Sequence, residues 1–283
     1  MKKEYFLALY TIFCWATLPA ITKLFLTGIS NMQVLFISSV IAAACLTTYL
    51  CITGKIRKIA VLNVHDIIFL CFLGFLGNFL YSALYYSSLR LLPSADASAI
   101  NYLWPVVASI CASVLLHEKI IWKAWISLLL SFSGVIIIST GTRGLYTGNI
   151  RGILLCASGA CCYGIFNVLN KKKGLDQYIC TAIYFSVTAI CSGLLFFFTK
   201  KWTPVSFHTW LGLFWLGIFI DALAILAWGL ALQKSNVSIL SDLAYLTPAF
   251  AALISHFLAG EPIYFYSLSG MALILSGVIL QIL

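Results

Sequence analysis

Apolar residues fill the chain in long runs, and polar or charged residues gather in the gaps between them. The runs cover approximately residues 4–26, 32–53, 65–89, 94–116, 122–140, 150–170, 178–199, 208–232, 237–259 and 262–283. A helix rising 1.5 Å per residue needs about 20 residues to cross a hydrocarbon core roughly 30 Å thick. The pattern therefore predicts an all-α integral membrane protein of ten transmembrane helices. The connections are short, carry Gly, Pro, Asn or charge, and leave no room for a soluble domain. Lys2-Lys3 ahead of the first run has the look of a signal peptide, but the run is long and no small-x-small cleavage site closes it. A retained first helix is expected.

Polar positions inside the runs are few, and each needs a reason, because hydrocarbon offers an amide or carboxyl no partner. The densest group is Asn101-Tyr102-Leu103-Trp104-Pro105 in the fourth run, with Asp96 five residues earlier. Pro105 removes a backbone hydrogen bond and clashes with the preceding turn, so a kink is expected just before it. The freed carbonyl is tolerable where it faces protein or a water-filled cavity. A lone Pro would read as a packing kink; with Asn101 and two polar aromatics beside it, the segment reads as a substrate-lining helix. Asp221 lies mid-span in the eighth run, seven residues before Trp228 and so on the same face. Asp242 stands near the start of the ninth, three residues before Tyr245. Asn78, Tyr81 and Tyr85 form an i, i+3, i+7 stripe on the third helix, and Asn167 with Asn170 a shorter pair on the sixth. Such stripes either line a cavity or hold helices together. His256, inside the ninth run, reads as an interhelical donor.

The runs repeat. Sliding the chain by 143 residues lays Tyr102 on Tyr245, Leu103 on Leu246, Pro105 on Pro248, Ala108 on Ala251 and Glu118 on Glu261. It also lays Ser133-Gly134-Val135-Ile136 on Ser276-Gly277-Val278-Ile279. A shift near 148 pairs Cys14-Trp15 with Cys162-Tyr163 and Lys23 with Lys171. The chain thus divides into two five-helix repeats, residues 1–145 and 146–283, within one membrane domain. Five is odd, so the second repeat is expected to be inverted, the arrangement of secondary transporters that alternate access to a midplane site.

Composition agrees. Of 283 residues 62% are hydrophobic and 9% charged, against about 25% charged in a soluble protein. The net charge of +9 does not form a nucleic-acid patch, since Lys and Arg stand singly or in pairs and triplets between apolar runs. Eleven of the 17 lie on the side of the N-terminus and six on the other, which places both termini in the cytoplasm. The ten cysteines include no CxxC pair and no Cys/His ligand spacing, so they read as small buried hydrophobes; no metal and no cofactor is expected. Trp122, Trp125, Trp202 and Trp210 sit at run edges, as interfacial anchors do.

Five-plus-five helices with Pro105 and Pro248 in the fourth and ninth resemble the drug/metabolite transporter superfamily and its duplicated EamA-type unit. The pentad with Asp96, together with Ala227-Trp228, Asn236-Val237 and Tyr245-Leu246-Thr247-Pro248, resembles the aromatic amino-acid exporter branch. The resemblance spans essentially the whole chain and is most specific in helices four and nine. It implies a central cavity between the halves, outward transport, and cavity-lining roles for Trp15, Asn101, Tyr102, Trp104, Tyr163, Trp228 and Tyr245. Asp221 and Asp242 lie outside that pattern. The expected substrate-binding set is these seven with Asn78, Tyr81, Asn167, Asp221 and Asp242, and Pro105 and Pro248 are the expected hinges.

The expected function is a secondary transporter in the inner membrane, moving a small metabolite outward by alternating access. An amino acid with an aromatic or apolar side chain is favoured. The alternatives are a same-fold transporter of a nucleotide-related metabolite, sugar or drug-like cation. A channel would need a ring of like charges or a carbonyl filter. A membrane-embedded enzyme would need a nucleophile with its base, or a metal cluster, and neither HExxH nor GxSxG occurs. Expected partners are the small-molecule substrate and the lipid bilayer, with a proton as candidate coupling ion and a second copy of the chain as candidate subunit, but no nucleic acid.

Overall fold

The computed structural model describes residues 3–141, 149–199, 202–260 and 262–282, and all regular structure among them is helical. Among the described residues nine helices are long and apolar enough to cross a membrane: α1 (Lys3–Phe25), α2 (Asn31–Ile52), α3 (Val64–Ser88), α4 (Ser94–Leu115), α5 (Trp122–Thr140), α6 (Ile150–Lys173), α7 (Gln177–Phe198), α8 (Phe207–Lys234) and α9 (Val237–Ala259). A tenth, α10 (Phe265–Gln281), is apolar but shorter. Large side chains such as Phe72, Leu129, Phe198 and Phe257 are exposed on the outside of the bundle, as lipid-facing positions are.

Helix pairing is reciprocal between the first five helices and the last five. α1 packs on α8 and α9, as α6 packs on α3 and α4; α2 meets α8 as α7 meets α3; and α2, α4 and α5 each meet their own counterparts α7, α9 and α10. Glycine explains the closest of these pairings. A Cβ on Gly134 of α5 would strike the Gly270 carbonyl and Ile274 of α10, and one on Gly277 of α10 would strike Ser127 and Ser131 of α5. Those two contacts interchange under the 143-residue shift. Where lipid removes the hydrophobic drive between helices, such close backbone approach supplies dispersion contacts instead.

Three helices are interrupted. α4 stops at Asn101 (α4a, Ser94–Asn101) and resumes at Trp104 (α4b, Trp104–Leu115), so the kink falls where Pro105 predicts it. α9 does the same between α9a (Val237–Leu243) and α9b (Leu246–Ala259). Both breaks tighten to i→i−3 bonding, Leu103 N–H to Ile100 O at 3.0 Å and Tyr245 N–H to Asp242 O at 3.1 Å. The third break, at Thr17 just before Pro19, divides α1 into α1a (Lys3–Ala16) and α1b (Leu18–Phe25) where one run was expected.

Two helices instead carry π-turns, Phe75–Leu80 in α3 and Trp215–Ala224 in α8. The shift of 143 carries residues 75–80 onto 218–223, inside the second. Each wide turn loosens carbonyls, and threonines from neighbouring helices reach them. Thr11 Oγ1 donates to Ala224 O at 2.9 Å, and Thr188 Oγ1 stands 3.5 Å from Gly74 O.

Two polar residues of the runs differ in burial. Asp96, near the end of its run, is fully buried in α4a, whereas His256 is exposed beside Phe257. Glu261, the repeat mate of Glu118, lies outside the described residues.

Candidate functional site

The helix breaks converge on a cluster of rings. Trp104 opens α4b, Trp15 lies in the last turn of α1a, Tyr163 projects from α6 and Trp228 from α8. Their centroids are mutually close: Trp15–Trp228 5.3 Å, Trp104–Tyr163 5.1 Å, Trp104–Trp228 5.9 Å, Trp15–Tyr163 6.4 Å and Trp15–Trp104 6.5 Å. Most meet edge to face, the arrangement that sets a ring's positive edge against its neighbour's negative face. Trp228 and Trp104 are 2% and 4% exposed, while Trp15 is half-buried. Gly164, next to Tyr163, permits this: a Cβ there would meet Val107 and the Trp104 carbonyl, so only glycine lets α6 lie against the break of α4.

Amides hold the rings. Asn167 of α6 accepts from Trp228 Nε1 at 2.7 Å through Oδ1, and its Nδ2 returns to Tyr163 O at 2.7 Å. Asn101 Nδ2 donates to Tyr81 Oη at 3.2 Å, while Asn101 Oδ1 is buried with no partner. Tyr81 lies 4.9 Å from Tyr163, so the α3 stripe joins the same cluster. Tyr102 and Tyr245, repeat mates, face each other at 6.2 Å, and Tyr245 Oη donates to Tyr102 O at 3.1 Å. One break thus hydrogen-bonds to the other. Asn170 serves as glue instead, bonded to Gln177 and Tyr184 of α7.

The arrangement offers flat apolar faces together with an orphaned amide oxygen and loosened backbone. Its chemistry is that of recognition, a ring or apolar group between aromatics and a polar head on amides. The rings already touch, so a ligand entering here must part them. Two clefts open elsewhere. One of about 300 Å³ is lined by Lys58, Leu62, Leu175 and Asp176 among others, and one of about 250 Å³ by Ile29, Met32, Tyr86 and Arg90 among others.

The remaining predicted residues lie around this centre. Asn78 is buried in the π-turn of α3 with its Nδ2 unpartnered. Asp221 is its repeat mate, in the π-turn of α8, facing the Ser38 hydroxyl and within charge range of Tyr86, which lines the second cleft. Trp15 packs both on the central cluster and on the apolar group containing Ile220, and so bridges the two regions. Asp242 meets Ser127 of α5. Pro105 and Pro248 are buried directly after the two breaks.

Sequence reasoning missed three contributors. Thr17 accepts from Trp215 Nε1 at 3.0 Å, tying the break in α1 to the start of the π-turn in α8; the Thr-Leu-Pro sequence was the available signal. Ser127 carried none beyond being a serine in an apolar run. The third is a latch on the side of the N-terminus. Lys171 Nζ donates to Glu118 Oε1 and to Ser235 O, both at 2.5 Å, and Glu118 Oε2 accepts from Val237 N–H at 2.8 Å, closing α4, α6 and α9 together. The pairing of Glu118 with Glu261 and Lys171 with Lys23 pointed to it.

Known proteins match this architecture. Residues 2–140 and 150–283 match the EamA-like transporter family. The aromatic amino acid exporter YddG of Ancylobacter novellus is 26% identical over 64% of this chain and 64% of its own, so the match spans just under two thirds of that exporter. The uncharacterized transporter YyaM of Bacillus subtilis is 26% identical over 84% of this chain and 80% of its own. A solved crystal structure superposes with a TM-score of 0.90 over 100% of this chain and 99% of its own, at 20% identity, a likeness of fold. Two matched stretches covering nearly the whole chain decide the matter: this multi-pass membrane protein belongs to the EamA-like transporter family.

Proposed function

We propose that the chain exports amino acids with aromatic or apolar side chains across the inner membrane, by alternating access between two inverted five-helix repeats (1–145 and 146–283). The observation that carries this reading is the ring cluster at the meeting of two broken helices. Its members pair across the halves, Trp15 with Tyr163 and Tyr102 with Tyr245. A single-sided pocket has no need of paired linings, whereas a site visited from both membrane faces does. The reciprocal helix pairing and the two matched stretches support the same division, and the name of the relative YddG supports the substrate class.

In this reading the substrate's apolar side chain replaces ring–ring contacts among Trp15, Trp104, Tyr163 and Trp228, and Asn101 Oδ1 receives part of its polar head. Asp221, half-buried in the π-turn of α8, receives the ammonium; a charge within a membrane span needs such a partner. In this reading the touching rings and the shut Glu118–Lys171 latch belong to a closed state. Pro105 and Pro248 are the hinges. Both termini lie in the cytoplasm, and a proton is the coupling ion. The deciding experiment is flux of labelled phenylalanine and labelled serine in proteoliposomes. Saturable flux of phenylalanine well above that of serine is expected, and equal rates for both would remove the substrate assignment.

A further inference from the structure

The surroundings of Asp242 differ from those of Asp221. Its side chain is fully buried in α9a, one residue from the end of that seven-residue helix. Ser127 of α5 stands with Oγ 2.6 Å from Asp242 Oδ2 and 2.6 Å from the Gly277 carbonyl oxygen of α10. Both separations are those of O–H···O hydrogen bonds. A serine hydroxyl, however, has one hydrogen to donate. If it goes to Gly277 O, the contact with Asp242 sets lone pair against lone pair unless the carboxyl supplies a hydrogen of its own. If it goes to Asp242, the contact with Gly277 has none, because a carbonyl cannot donate. With two contacts this short, the three oxygens close best as a relay, Asp242 Oδ2–H to Ser127 Oγ–H to Gly277 O.

The other side of the carboxyl agrees. Asp242 Oδ1 is buried with no partner. Ser131, one turn on from Ser127, faces the carboxyl without a bond of good geometry. A buried carboxylate anion would call for several donors or a cation. A carboxylic acid needs far less. The titratable neighbour facing Asp242 is Tyr245, whose hydroxyl is committed to Tyr102 O. α5 and α10 turn serine and glycine towards it. On α4b, Cys111 interacts with Cys161; on α1a, Tyr10 and Cys14 interact with each other. Glu118 and Lys171, at the first residue of α9a, are bonded to one another.

We propose that Asp242, Ser127 and the Gly277 carbonyl form a proton-binding site separate from the ring cluster, loaded in this closed conformation and emptied when α9a parts from α5 and α10. The step is a simple one. Parting breaks the Asp242 O–H···Ser127 bond and admits water, the carboxyl O–H bond breaks, and the proton leaves as hydronium from a hydrated carboxylate. The tightened bond from Tyr245 N–H to Asp242 O spans the break of α9, and Tyr245 reaches the break of α4. Motion of either broken helix therefore strains the relay. The repeat mate of Asp242 is Ala99, so this carboxyl has no counterpart at the same place in the first half. This names the coupling group for the transport proposed above, and its first test does not depend on that transport.

Infrared spectra of the purified protein at neutral pH would read the proton directly. A carboxylic-acid C=O band is expected in the parent and lost in Asp242→Asn. In Ser127→Ala, which keeps the acid but removes its acceptor, the band should move to higher frequency, and this variant serves if Asp242→Asn does not fold. A parent-minus-Asp242→Asn spectrum showing only carboxylate bands, with no response in Ser127→Ala, would overturn the proposal. In proteoliposomes, a pH gradient should accelerate phenylalanine flux in the parent but not in Asp242→Asn. Acceleration by a sodium gradient instead would also overturn it. Absence of phenylalanine flux from every protein would count against the substrate reading, and the infrared result would stand alone.

Discussion

At the scale of single residues, the site is a set of aromatic faces held by a few amides, and the two parts should respond differently to truncation. Stacking of a bound ring contributes roughly 0.5–1.5 kcal/mol beyond buried area, about a factor of ten in affinity at most. Trp104→Ala is therefore expected to weaken phenylalanine about tenfold and serine far less, measured as competition at matched reconstitution. Asn101→Ala should weaken both, since each carries the same head group. Asp221→Asn should weaken phenylalanine but not phenylpropionate, which lacks the ammonium; equal loss for both would make Asp221 structural. Asn167 acts through the rings. Asn167→Ala strands the buried indole N–H of Trp228, a loss of about 1–3 kcal/mol that would appear as a lower Tm in detergent. Much of this was legible, because polar groups in apolar runs are rare and each drew a question. What the sequence withheld was direction. Asp242 precedes Tyr245 by three residues, and the acid bonds to Ser127 while the phenol bonds to Tyr102. The intervening break rotates one against the other.

At the scale of elements, proline stands just after all three breaks, at Pro19, Pro105 and Pro248. Pro105 and Pro248 drew notice because they repeat. Pro19 has no mate in the unbroken α6, and so α1 read as continuous. The π-turns were less legible still, since Phe-Leu-Gly-Asn-Phe-Leu at 75–80 has the composition of any apolar helix. The signal that existed was the alignment of Asn78 with Asp221 at a shift of 143, two polar residues at one place in both halves. Pro105→Ala restores a backbone donor and removes the ring clash. It is expected to lower turnover of phenylalanine more than its affinity, because the interrupted helix is what rearranges between inward- and outward-open states. Equal change in both constants would mean that the break only shapes the pocket. In the latch, Glu118→Gln and Lys171→Met should each reduce transport, and the double variant should lose little more than either alone, as residues sharing one contact do.

At the scale of the molecule, the proposed inverted repeat has two halves of one chain facing the membrane in opposite senses. The pairing of α1 with α8 and α9, answered by α6 with α3 and α4, is what a two-fold relation between the halves would produce. So is the exchange of Gly134–Gly270 contact for Gly277–Ser127 contact. If that relation holds, Gly134→Val and Gly277→Val should cost comparable stability, each about 1–3 kcal/mol as an overpacked contact, read as similar falls in Tm. Packing symmetry does not by itself give orientation, which needs the two membrane faces to be told apart. Lys119 follows α4, and its mate at a shift of 143 is Pro262, ahead of α10; both are exposed. In a background with all ten cysteines replaced, Lys119→Cys should react with an impermeant thiol reagent only after the cytoplasmic face is opened, and Pro262→Cys in intact cells. The odd number of helices between the two positions demands that difference. Labelling of both from one face would place an even number of crossings between them, and a site at the centre could then no longer be offered to each side in turn by the same pair of broken helices.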